Sequence, residues 1–143
     1  MPGASEKLRF QLEVVDGYPP VAVENLFVSR MAPGRYVLES LPFFFREATL
    51  GDEILVWEVG DDRHDASMLK RGSNGLLRVF VSDCDRRAAL ADRLSNSGVI
   101  FEVLPEYGLV SVNTVSCESH SELVQWLLDF CGMGAVEEVF VCE

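Results

Sequence analysis

Two histidines, four cysteines and a surplus of carboxylates are what this chain offers to chemistry. Nucleophilic catalysis needs a Ser or Cys activated by a base. Cys117 and His120 are near neighbours in sequence, so a thiol and imidazole pair, with hydrolase activity, is the one nucleophilic candidate; a local helix cap accounts for the same residues without catalysis. His64 lies in Gly60-Asp-Asp-Arg-His-Asp65, where Asp61, Asp62, His64 and Asp65 are hard metal ligands by type. The run lacks the EF-hand spacing and the glycine of its sharp turn, and a loop of alternating charge is the plain account. No metal or cofactor is expected. Gly72-Ser-Asn-Gly75 precedes a strand, whereas a phosphate cradle leads into a helix N-terminus, and this excludes the usual nucleotide folds.

Carboxylates are the remaining candidates. Glu118, Glu122, Gln125 and Asp129 recur at helical intervals and predict one polar stripe on a helix. Asp129, near the carboxyl end, stands where the helix dipole favours a cation, which hints at a cation supplied from outside. Glu137 and Glu138 fall in a predicted strand, so they point to opposite faces and do not serve one substrate together. The net charge of −11 is distributed unevenly. All twelve Lys and Arg lie between Lys7 and Arg93, and residues 94–143 hold eight acids and no Lys or Arg. Such a surface steers and docks a basic partner, or simply keeps an acidic protein soluble. Nucleic acid is not an expected ligand, because phosphate binding needs clustered cations.

Composition adds bounds. At 143 residues, 48% hydrophobic and 24% charged, the chain is an ordinary globular one with one domain or two small ones. No apolar run could span a bilayer, and the first ten residues lack the basic and apolar regions of a secretory signal, so a cytoplasmic location is expected. Cys84, Cys117, Cys131 and Cys142 have no zinc-knuckle spacing and are expected to be reduced and mostly buried.

The elements that must position these groups change character midway. Residues 7–15, 21–29, 35–41, 53–59 and 66–70 alternate as short strands, with turns at Asp16-Gly17, Met31-Ala-Pro-Gly34 and Gly51-Asp52. This predicts a small β-barrel-like sheet over residues 1–74. Residues 76–82 form a strand, and Asp83 is an N-cap for a helix through Ser97 on which Cys84, Ala88, Ala91 and Leu94 share a face. Strands follow at 99–104 and 109–115. Ser119-His-Ser-Glu122 fits a capping box for a second helix with Leu123, Val124, Leu127, Leu128 and Cys131 inward, and a strand at 136–142 closes the chain. The order over 75–143 is that of a ferredoxin-like, split βαβ half. The fold class is therefore α+β.

Leu41-Pro-Phe-Phe-Phe45 interrupts the first half. On a strand, Phe43, Phe44 and Phe45 would alternate faces, so at least one should leave the barrel core, either as an internal plug against the other half or as an exposed patch. Arg35-Tyr36-Val37, Leu41-Pro42-Phe43-Phe44, Leu50-Gly51-Asp52, Asn74 and Leu77-Arg78-Val79 together carry a resemblance. The chain resembles the bacterial family called domain of unknown function 4265, from about residue 7 to its end. In that family a small hydroxyl residue commonly follows the Asn, where this chain has Gly75 and Leu76. The resemblance implies the architecture and brings no activity or cofactor.

The sequence thus predicts a non-enzymatic acidic protein that binds a basic protein partner through Glu118, Glu122, Asp129, Glu137 and Glu138. The concrete version is an immunity protein that neutralises a cationic, nuclease-like toxin. The alternative is a regulatory module of the split βαβ type that binds a small ligand.

Overall fold

A computed structural model describes residues 5–141. It is a mixed α+β protein with two helices and two antiparallel sheets, and the chain falls into two compact units, Met1–Gly72 and Ser73–Glu143. Cys142, one of the four cysteines, and Glu143, one of the eight acids of residues 94–143, lie outside the described residues, as do residues 1–4.

The first unit contains β1 (Ser5–Gln11), β2 (Val23–Ala32), β3 (Arg35–Leu38), β4 (Glu53–Gly60) and β5 (Arg63–Lys70), each antiparallel to the next. One parallel register, Phe10 opposite His64, returns β5 to β1. Alternation in these strands sends Phe10, Leu26, Val28, Tyr36, Leu38, Ile54 and Val56 into one core. Asp61 and Asp62 make the β4–β5 turn, both at positive φ.

The segment between β3 and β4 is a loop, not the strand that the phenylalanines suggested. A loop has no obligatory alternation, so the three rings are sorted individually. Phe45 is buried in the first unit's own core, with its ring 5.0 Å from that of Phe10. Phe44 is buried with Tyr18 edge-on at 6.1 Å, and Phe43 is half-buried.

Two carboxylates hold this loop from opposite ends. Glu24 on β2 accepts hydrogen bonds from three successive backbone N–H groups, those of Phe43 (2.7 Å), Phe44 (2.9 Å) and Phe45 (2.8 Å). Asp52 is fully buried and accepts from Thr49 N (2.9 Å), Gly72 N (2.7 Å) and Arg71 Nη1 (2.7 Å). A loop off the sheet ladder must satisfy its amides elsewhere, and charge-assisted bonds are the strong way to do so. Gly72 must be glycine here: a Cβ at that position would stand 2.8 Å from the Gly51 carbonyl oxygen.

The second unit runs β6 (Gly75–Phe80), α1 (Cys84–Asn96), β7 (Phe101–Leu104), a 3-10 turn at Pro105–Tyr107, β8 (Leu109–Thr114), α2 (Cys117–Cys131) and β9 (Val136–Phe140). Its strand order is β7-β8-β6-β9, with every neighbour antiparallel. Asp83 caps α1 by accepting from the N–H groups of Asp85 and Arg86. The buried face of α1 is Leu90 and Leu94, whereas Cys84 and Ala88 are exposed. Burial follows apolar area, and a cysteine or alanine at the right angle cannot compete with a leucine. α2 begins one turn before the expected point. Ser116 is its N-cap, accepting from the Ser119 N–H, and Ser119 takes the N3 position, its hydroxyl oxygen accepting from the Ser116 N–H, which leaves Glu122 outside the cap. Leu127 enters the core formed by Leu77, Val79, Val110 and Val112, with Leu123, Val124 and Cys131 packed against it.

Candidate functional site

α2 presents Glu118, Glu122, Gln125 and Asp129 to solvent, as their spacing predicted. Glu118 lies in the first turn, and no basic residue occupies the last. Glu118 therefore complements the helix dipole and Asp129 opposes it.

The other two acids are engaged inside the second unit. Glu137 stands opposite Arg78 in the β6–β9 register and forms a salt bridge to its buried guanidinium. Glu138 stands opposite Leu77, on the other face of the sheet, and its Oε1 lies 2.8 Å from His120 Nε2. Arg78 thus compensates one of the five carboxylates assigned to partner binding, and His120 hydrogen-bonds a second. The strand places Glu137 and Glu138 back to back, so the five acids do not share one surface: Glu138 reaches His120 on the α2 side and Glu137 points to the other.

α1 lines the neighbouring side of that surface with cations. The Arg93 guanidinium lies 4.7 Å above the Trp126 ring, and that of Arg86 lies 5.4 Å above Phe130 while donating to the Phe130 carbonyl oxygen. Trp126 and Phe130 themselves stack, with centroids 5.4 Å apart. Arg93, Ser119, Glu122, Leu123 and Trp126 line a cleft of about 340 Å³ between the two helices. Glu122 therefore sits beside a cation, and Glu118 and Asp129 flank it along the stripe.

His120 is the residue whose surroundings sequence reading missed. It is 3% exposed, and its Nδ1 lies 2.9 Å from Thr114 Oγ1 while Nε2 faces Glu138. A neutral imidazole satisfies both contacts, donating to Glu138 and accepting from the Thr114 hydroxyl. Hydroxyl, imidazole and carboxylate in line is the order found in hydrolases. Here the hydroxyl belongs to a residue only 1% exposed, so no substrate reaches it, and the chain of bonds ties β8, α2 and β9 together. The Cys117 pairing considered from sequence has no ring nitrogen left to use. Burial pushes the Cys131 thiol above its ordinary range, with the nearby Arg86 charge acting weakly the other way, so this sulfur is a poor nucleophile. The signal for the His120 contacts was faint: one lone histidine just after an apolar strand.

The aspartates around His64 do not assemble. Asp61 and Asp62 form a turn, Asp65 Oδ1 accepts from Ala66 N, and His64 Nδ1 lies 3.4 Å from the Arg9 carbonyl oxygen. Among the described residues, no three His, Cys, Asp or Glu side chains gather as a metal would need. No described helix is long and apolar enough to cross a membrane.

The model of a family described as "Domain of unknown function (DUF4265)" matches residues 24–137. No curated protein matches the chain. Among solved structures it is similar to a hypothetical protein from Neisseria gonorrhoeae, with TM-score 0.68 and 18% identity over 96% of this chain and 97% of that one. At that identity the likeness speaks for the fold alone.

Proposed function

The chain belongs to the DUF4265 family, and from that premise we propose that it is a non-enzymatic acidic binding protein of the bacterial cytoplasm that docks a basic protein partner. One observation carries this reading: Glu118, Glu122 and Asp129 stand exposed along one helix with no basic residue in its last turn. Such an arrangement steers a cationic surface toward the helix and rejects an anionic one. Glu137 and Glu138 contribute at the margin, since each is already engaged by Arg78 or His120. The specific form is an immunity protein covering the positive cleft of a toxin that acts on nucleic acid. In the same reading the first unit is a small β-barrel, supported by the Phe10–His64 return pairing. The second is a ferredoxin-like half, supported by the order β7-β8-β6-β9 with two helices between strands.

The test is titration with a panel of basic proteins at rising ionic strength. The expected result is affinity for at least one member that falls steeply with salt and is lost when Glu118, Glu122 and Asp129 become Lys. Binding indifferent to salt and to those reversals rejects the mechanism.

A further inference from the structure

The first unit contains a cleft of about 620 Å³, which falls in the range typical of small-molecule sites. Its apolar part is Leu12, Pro19 and Phe44, with the half-exposed Tyr18 ring set edge-on to Phe44. Its charged part is Glu13, Glu47, Asp65 and Arg46.

Three carboxylates and one guanidinium line this cleft. Whatever Arg46 pairs with, two negative charges remain, and the aromatic walls lower the local dielectric and strengthen their pull. Asp65 spends Oδ1 on the Ala66 amide, leaving Oδ2 for a ligand. Tyr18 lines the same cleft, and cations are drawn to an aromatic quadrupole. The wall is also rigid. The Phe44 and Phe45 amides are held by Glu24, and the Phe45 ring packs on Phe10, so the cleft does not depend on a ligand to form it. A bare metal ion does not suit the arrangement, because the carboxylates are spread along the cleft and do not converge.

We propose that this cleft binds a cationic nitrogen group, a guanidinium or alkylammonium, carried on an apolar stem. The charged end is held in the summed negative field of Glu13, Glu47 and Asp65, and the stem lies along Phe44 and Pro19. A free amine and the side chain of a basic peptide share this chemistry. The site is separate from the acidic face of α2.

The test uses agmatine, a four-carbon stem with a guanidinium at one end, an ammonium at the other and no carboxylate, followed by amide and aromatic chemical shifts in the whole chain. Shifts at Tyr18, Phe44 and Asp65 are expected. A Glu13→Gln, Glu47→Gln double variant should weaken agmatine about tenfold or more, and Tyr18→Ala about fivefold. Glutarate, of similar length and opposite charge, should leave these signals in place. Glu118→Lys should bind agmatine normally, which separates this site from the docking face. A short peptide with one arginine assigns the source: tighter binding than agmatine indicates a protein ligand, equal or weaker binding a free amine. No shift at millimolar agmatine, undiminished affinity in the double variant, or a response to glutarate equal to that of agmatine overturns the proposal.

Discussion

In the first unit two carboxylates, half-buried Glu24 and buried Asp52, are directed at backbone: Glu24 takes three consecutive amides, and Asp52 takes two amides and a guanidinium. In the second unit Glu118, Glu122 and Asp129 stand in solvent on one helix. The same functional group therefore builds structure in one place and potential in the other. What separates them is the backbone nearby. A long irregular segment between β3 and β4 has amides that no sheet or helix satisfies, and half-buried Glu24 and buried Asp52 supply the acceptors. α2 satisfies its own amides, so acids on its outer face are released from that duty.

This contrast can be broken first at Asp52. Replacing it by Ala removes the Asp52 carboxylate from Arg71 and from two amides, and unfolding in urea should show a loss of about 3 kcal/mol, the lower part of the range for removing one partner of a buried pair because Arg71 is partly exposed. Glu24→Gln should cost about 2 kcal/mol, since a neutral amide cannot accept from three amides as strongly as a carboxylate. Amide exchange at Phe43, Phe44 and Phe45 should accelerate in that variant ahead of global unfolding. If Glu24→Gln were as stable as the parent, the loop would be held by its rings and not by its acid.

On the other side of the comparison, Glu118→Lys, Glu122→Lys and Asp129→Lys should each change stability by about 0.5 kcal/mol or less while reducing affinity for a basic protein. Opposite signs are expected at the two helix ends: Lys opposes the dipole at Glu118 and complements it at Asp129. The smallest effect is at the thiols. Cys84 and Cys117 are exposed and should alkylate readily at neutral pH, whereas Cys131, half-buried with its pKa raised by burial, should be slower and need a higher pH. Because the folded state holds that proton more tightly than the unfolded chain, stability linked to Cys131 is complete below the ordinary thiol pKa and is lost as pH rises through the raised one.

Much of this architecture could be read from short-range pattern. Alternation located the strands, Asp83 announced α1, and Pro33-Gly34 and Gly51 marked turns whose glycines take positive φ. Long-range pairing escaped. Glu24 lies about twenty positions from the amides it holds, Asp52 equally far from Arg71, and Glu138 eighteen from His120. No periodicity connects such residues. The phenylalanine run misled for the same reason: a period-two rule was applied where no strand exists, because the acceptor that fixes the loop sits on another strand. The placement of the α2 stripe was legible, because helical spacing alone determines it. That Glu137 and Glu138 are occupied was not, since Arg78 and His120 reach them only through the β6–β9 register and the packing of α2.

The central claim, that the exposed face of α2 is what a basic partner meets, is tested most directly by mapping amide shifts of the whole chain during titration with such a partner. The account predicts that the largest changes fall at Glu118, Glu122, Gln125 and Asp129, with Glu137 and Glu138 shifting less. Changes concentrated on the first unit, with α2 unmoved, would contradict it.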